Sequence, residues 1–127
     1  MRKIDFKGKK KNGVWIYGDL VQRPPIALIF PLDAPDSQDN YIVDLKTVSE
    51  FTGLTDKNDV EMYENDIVKC EYGIGKIIFK SGCFMVEWLD DKEANLEFIF
   101  SRLGIYSRSN DEVFEVVGNI FDNPELL

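Results

Sequence analysis

Along most of this chain apolar and polar residues alternate with a period near two rather than 3.6, which predicts strands. Residues 2–7 set Arg2, Ile4 and Phe6 against Lys3, Asp5 and Lys7, and residues 14–21 are rich in β-branched and aromatic side chains. Between them, Lys9-Lys10-Lys11-Asn12-Gly13 ends in Asn-Gly, a strong hairpin signal. Strands over 3–7 and 14–21 are therefore expected to pair. Arg23-Pro24-Pro25 stops the second strand, because proline cannot donate to a ladder. Ile26–Phe30 is a short apolar strand, suited to burial on both faces or to an interface. Residues 31–40, with two prolines and three aspartates, read as a loop, and residues 41–43 resume extended structure.

The chain is organised around residues 51–68. Asp56-Lys57-Asn58-Asp59 reads as a tight turn, since Asp and Asn side chains bond the backbone two residues on and tolerate a left-handed conformation. Glu64-Asn65-Asp66 is a second turn, with Asn65 the natural residue for positive φ. Val60, Met62 and Tyr63 fit a short strand between the turns. Upstream, Thr47-Val48-Ser49-Glu50 spells a capping box, but Gly53 follows at once. That leaves one or two helical turns, or equally a further strand.

Downstream the alternation predicts strands over 67–72, 76–80 and 83–89, with Gly73-Ile74-Gly75 as a turn or bulge and Ser81-Gly82 as a two-residue hairpin. Asp90-Asp91-Lys92-Glu93 is a charged turn, residues 96–100 and 113–121 are two more strands, and residues 102–111 are a loop. Asp122-Asn123-Pro124-Glu125 spells a helix start. Together these elements predict a mainly β fold of small, antiparallel, barrel-like sheets, resembling SH3-like elements, with at most one short helix.

The central stretch resembles the signature of the YopX family of phage- and prophage-encoded proteins. The matching residues run Phe51-Thr52-Gly53-Leu54-Thr55-Asp56-Lys57-Asn58, then Met62-Tyr63-Glu64 and Asp66-Ile67-Val68. A second anchor, Glu115-Val116-Val117-Gly118-Asn119-Ile120-Phe121-Asp122-Asn123-Pro124-Glu125-Leu126-Leu127, is similar to the family's C-terminal motif. Asp59 and Asn65 stand where the family usually has glycine, and both residue types still reach positive φ. Gly53, Asp56, Asn58, Asp59 and Asn65 thus form the expected turn motif. The resemblance implies a mainly β fold, a phage or prophage accessory role and a bacterial host cytoplasm as location. It implies no particular reaction.

Composition narrows the function classes. The 127 residues suit a single domain, here a basic N-terminal hairpin (1–25) and a β core (41–121). An apolar fraction of 44% argues against disorder. The formal charge is −8, but it is unevenly placed: residues 1–25 carry seven basic and two acidic side chains, the remainder eight and twenty-one. A basic arm on an acidic body can dock on its own domain, on a second copy or on phosphate, or it can be a solvated turn. No apolar run matches a membrane span, and the N-terminal residues lack the apolar segment of a signal peptide. Cys70 and Cys83 are too few for a disulfide scaffold and are expected on different sheet faces, as ordinary thiols.

Candidate chemistry is sparse. The chain has no histidine, which removes Ser-His and Cys-His pairs and the commonest zinc ligand. Gly75-Lys76 fails as a phosphate loop because Cys70 and Ile77 occupy its required Gly and Ser/Thr positions. Asp56-x-Asn58 fails as a calcium loop because Glu61 and Ile67 stand at its glycine and bidentate glutamate. Glu61, Glu64 and Asp66 form a candidate acidic surface that could hold a divalent cation or share a proton, but a charged turn and exposed strand face is the favoured reading, and a carboxylate-based enzyme there has little support. Trp15, Tyr17, Phe84 and Trp88 would make a base-stacking platform if exposed, but aromatic residues in strands more commonly pack the core. Lys7, Lys9, Lys10, Lys11 and Trp15 are the candidate contacts to nucleic acid or a partner. The reading these features favour is a non-enzymatic, self-associating protein-interaction module without cofactor or metal, engaging itself and a host or phage protein. Nucleic-acid binding through the basic hairpin is the alternative.

Overall fold

The computed structural model describes residues 3–33, 41–70, 73–89, 101–102 and 114–127. The expected strand over 96–100, the charged turn at 90–93 and most of the loops over 31–40 and 102–111 lie outside these. The fold is mainly β, in two antiparallel sheets without a closed barrel. The described helical residues are all 3-10: Tyr41 and the three-residue turns Leu45–Thr47 and Pro124–Leu126. The chain divides into two compact units, Met1–Phe51 and Thr52–Leu127.

In the first unit, β1 (Phe6–Lys9), β2 (Trp15–Arg23), β3 (Ile26–Phe30), β4 (Ile42–Val43) and the start of β5 (Ser49–Thr55) take the order β4-β3-β2-β1-β5. The β1–β2 hairpin pairs Phe6 with Gly18 and Lys9 with Trp15. Its turn is built on Lys10: the Gly13 N–H donates to Lys10 O (2.9 Å) and the Lys10 N–H to Val14 O (2.9 Å). The loop is thus three residues, Lys11-Asn12-Gly13, closed by Gly13 at φ +90°. Asn12 Oδ1 accepts the Val14 N–H (3.0 Å). Pro24-Pro25 forms the next connection, between paired Arg23 and Ile26.

One face of this sheet carries the core of Ala27, Ile29 and Val43, with Phe6, Ile16, Leu20 and Val48 packed on it. The sheet curls enough to bring Val43 over β1. A Cβ on Gly8 would meet Val43 Cγ2 at 2.7 Å, so that approach requires glycine. Residues 47–50, spelled as a capping box, start no helix: Asp44 caps the 3-10 turn, and Ser49 begins β5. The strand alternative prevails because Ser49 and Lys7 pair across β1 and β5.

In the second unit, the rest of β5 neighbours β6 (Glu61–Tyr63). A five-stranded sheet has the order β10-β9-β8-β7-β11, from β7 (Asp66–Cys70), β8 (Gly73–Lys80), β9 (Cys83–Trp88), β10 (Ser101–Arg102) and β11 (Glu115–Asn119). Its core is Met62, Val68, Ile77, Val86 and Phe114. The Ser81-Gly82 hairpin is as expected, with both residues at positive φ (54° and 78°) as a type I′ turn requires. Gly73-Ile74-Gly75 is a correction: it is neither turn nor bulge but the first half of β8, pairing with Val68, Lys69 and Cys70. Cys70 and Cys83 pair with opposite ends of β8, seven residue steps or roughly 23 Å apart, far beyond disulfide reach.

Candidate functional site

The signature stretch is a set of backbone fasteners. Asp56 is buried, and its carboxylate accepts three backbone N–H groups: Asn58 (2.8 Å) and Val60 (2.9 Å) on Oδ1, and Val116 (2.9 Å) on Oδ2. The last bond spans sixty residues of sequence and holds β11 to the turn. The Lys57 N–H adds a bond to Phe114 O (3.0 Å). Thr52 Oγ1 donates to Met62 O (2.7 Å), tying β5 to β6. Asp59 and Asn65 take φ of 62° and 71°, as their replacement of glycine predicts. Asn65 donates its N–H to Ile77 O (2.8 Å) and accepts from the Ile120 N–H (3.0 Å). Gly53 also has positive φ, +87°.

The C-terminal motif completes this arrangement. Asn119 Oδ1 accepts the N–H groups of Phe121 (3.0 Å) and Asp122 (2.9 Å), while Asn123 Oδ1 accepts the Asn119 N–H (3.2 Å). A Cβ on Gly118 would overlap Asn123 Oδ1, so only glycine admits the asparagine there. The two motifs, distant in sequence, meet on β7, β11 and the Asp56 turn.

The acidic surface expected from Glu61, Glu64 and Asp66 is corrected at Asp66. Its side chain is 3% exposed, and Oδ2 accepts the Tyr63 N–H (2.8 Å), because the tight turn points the carboxylate back at its own backbone. Glu61 and Glu64 are half-buried. Among the described residues, no group of three or more His, Cys, Asp or Glu side chains is placed to hold a metal ion. Of the aromatic residues expected as a platform, Phe84 and Trp88 are half-buried in the second unit. Trp88 stacks on Phe114 (6.1 Å), Phe84 packs edge-on to Phe79 (5.0 Å), and both support the second unit's core. Trp15 and Tyr17 belong to the first unit.

Of the candidate lysines, Lys7 departs from expectation. It is only 6% exposed, and its ammonium lies 4.9 Å from the centroid of the Trp15 ring. The aliphatic stem and a cation–π contact make that burial tolerable, and they engage both Lys7 and Trp15.

Lys9, Lys10 and Lys11 do come together. With Asn12, Gly13, Ile42, Val43, Asp44 and Thr47 they line an open groove of about 630 Å³. The groove forms where the end of β1 meets the turn after β4. Lys9 donates its N–H to Thr47 Oγ1 (2.8 Å) and accepts from the Asp44 N–H (2.9 Å), and Thr47 Oγ1 donates to Asp44 O (2.7 Å). Asp44 Oδ1 caps the Lys46 N–H (3.0 Å). A groove lined by three lysines, one aspartate and the exposed Ile42 suits an anionic ligand with some apolar surface. Ile42, Asp44 and Thr47 were not candidates from sequence. Asp44 two residues before Lys46 was the available signal for the cap.

The sequence model of the YopX protein family matches residues 9–127. The chain belongs to the YopX family. Both motif stretches lie inside that match. No curated protein matches the sequence. Among solved structures, the crystal structure of protein EF1440 from Enterococcus faecalis is similar over 100% of this chain and 99% of that one, with a TM-score of 0.52 and 21% identity. At that identity the likeness is one of fold. No helix among the described residues is long and apolar enough to cross a membrane.

Proposed function

We propose that this YopX-family chain is a non-enzymatic protein-interaction module that self-associates, with the lysine groove as its binding surface. One observation carries the reading: Thr52, Asp56, Asp66, Asn119 and Asn123 of the motif stretches bond backbone within the fold, whereas Lys9, Lys10 and Lys11 line an open groove. The charge distribution supports a second copy as partner, since a basic hairpin on a chain of net charge −8 finds complementary charge on any neighbour. A phage accessory role in a bacterial cytoplasm fits a compact protein of this kind.

Sedimentation equilibrium at low and high salt tests this. The weight-average mass is expected to exceed the 14.6 kDa monomer at about 0.05 M salt and to fall toward it near about 0.5 M, as screening weakens surface charge contacts. Lys10→Glu with Lys11→Glu is expected to give monomer at both, with an unchanged urea midpoint. Wild-type monomer at every concentration and salt would remove the self-association.

A second reading, nucleic-acid binding, is supported by Tyr17, which is exposed on the same hairpin as Lys10 and Lys11. It predicts salt-sensitive retention of single-stranded DNA or RNA by nuclease-treated protein, lost in the same double variant.

A further inference from the structure

Resting on the self-association reading, we infer that the lysine groove of one copy takes residues 122–127 of a second copy. Charge and apolar surface match on both sides. The groove sets Lys9, Lys10 and Lys11 against Asp44, a net of about +2, and the segment carries Asp122 and Glu125, a net of about −2. Ile42 on the groove is 40% exposed, while Leu126 and Leu127 are 36% and 49% exposed. These are apolar side chains that the fold of each unit leaves in water.

The segment is already shaped for docking. Asn123 donates its N–H to Asn119 O (2.9 Å), Leu126 to Asn123 O (3.1 Å) and Leu127 to Pro124 O (3.1 Å). Asn119 Nδ2 also holds Asp122 Oδ2 (3.2 Å). A segment held in one conformation loses little freedom on binding, so its modest contact area counts for more. The groove and the segment are different surfaces of one chain, so each contact joins unlike patches and either closes, as a reciprocal pair or a ring, or runs on as an open chain.

The test uses two variants and their mixture. Lys10→Glu with Lys11→Glu disables the groove and leaves the segment; Glu125→Lys with Leu127→Ser disables the segment and leaves the groove. Each alone is expected to associate at least about tenfold more weakly than wild type. Mixed in equal amounts they retain one working groove and one working segment, and are expected to form a 1:1 heterodimer of twice 14.6 kDa that grows no further. Urea midpoints equal to wild type check that both variants fold.

Assembly of the segment variant like wild type, or a mixture that stays monomeric while wild type assembles, overturns the segment assignment and leaves self-association standing. A monomeric wild type overturns both. Retention of single-stranded DNA by wild type and its loss in the groove variant assigns the groove to nucleic acid instead.

Discussion

At the residue scale, the positions that could be read in advance were those where backbone conformation restricts the choice of residue. Asp59 and Asn65 were legible because few residue types tolerate positive φ, and both adopt it. Replacing either by glycine relieves strain but loosens the unfolded chain, so Asp59→Gly and Asn65→Gly are expected within about 1 kcal/mol of wild type in urea unfolding. Asn65→Val should cost about 1–3 kcal/mol in the same assay, because a β-branched residue resists that conformation. Lys7 and Asp66 were not legible. A lysine and an aspartate read as solvated by default; the β1–β2 hairpin brings the Trp15 ring over one, and the tight turn brings the Tyr63 N–H to the other.

At the element scale, alternation and turn chemistry located nearly every described strand, because period-two burial leaves its mark on each strand separately. The Ser81-Gly82 hairpin and β3 show this. Glycine misled at Gly73-Ile74-Gly75, where it permits close approach inside β8 rather than a turn. The capping box over 47–50 misled for a related reason: its spelling is local, while the pairing of Ser49 with Lys7 is not. The β11 end is sensitive to one methyl group. Gly118→Ala pushes a Cβ into Asn123 and should displace the Asn119–Asn123 turn, lowering stability by about 1–3 kcal/mol. A urea midpoint unchanged by this substitution would show that the turn is dispensable.

At the scale of the whole molecule, the motifs and the groove divide the work. The Asp56 turn, β7 and β11 close the second unit, and the lysine groove lies in the first. The family resemblance was legible from sequence because both motifs are short and turn-rich. Their connection through Asp56 to Val116 was not, since nothing in the spacing of two motifs sixty residues apart says which backbone N–H an aspartate will meet.

Amide hydrogen exchange in Asp56→Ala tests most directly that the signature serves the fold. The substitution leaves three N–H donors without their carboxylate and should cost about 3–5 kcal/mol. Protection is expected to fall together at Asn58, Val60 and the β11 amides from Val116 onward, with salt-dependent association by the folded fraction retained. Wild-type protection at Val116, or association lost while that protection persists, would contradict the account and place Asp56 in the binding site instead.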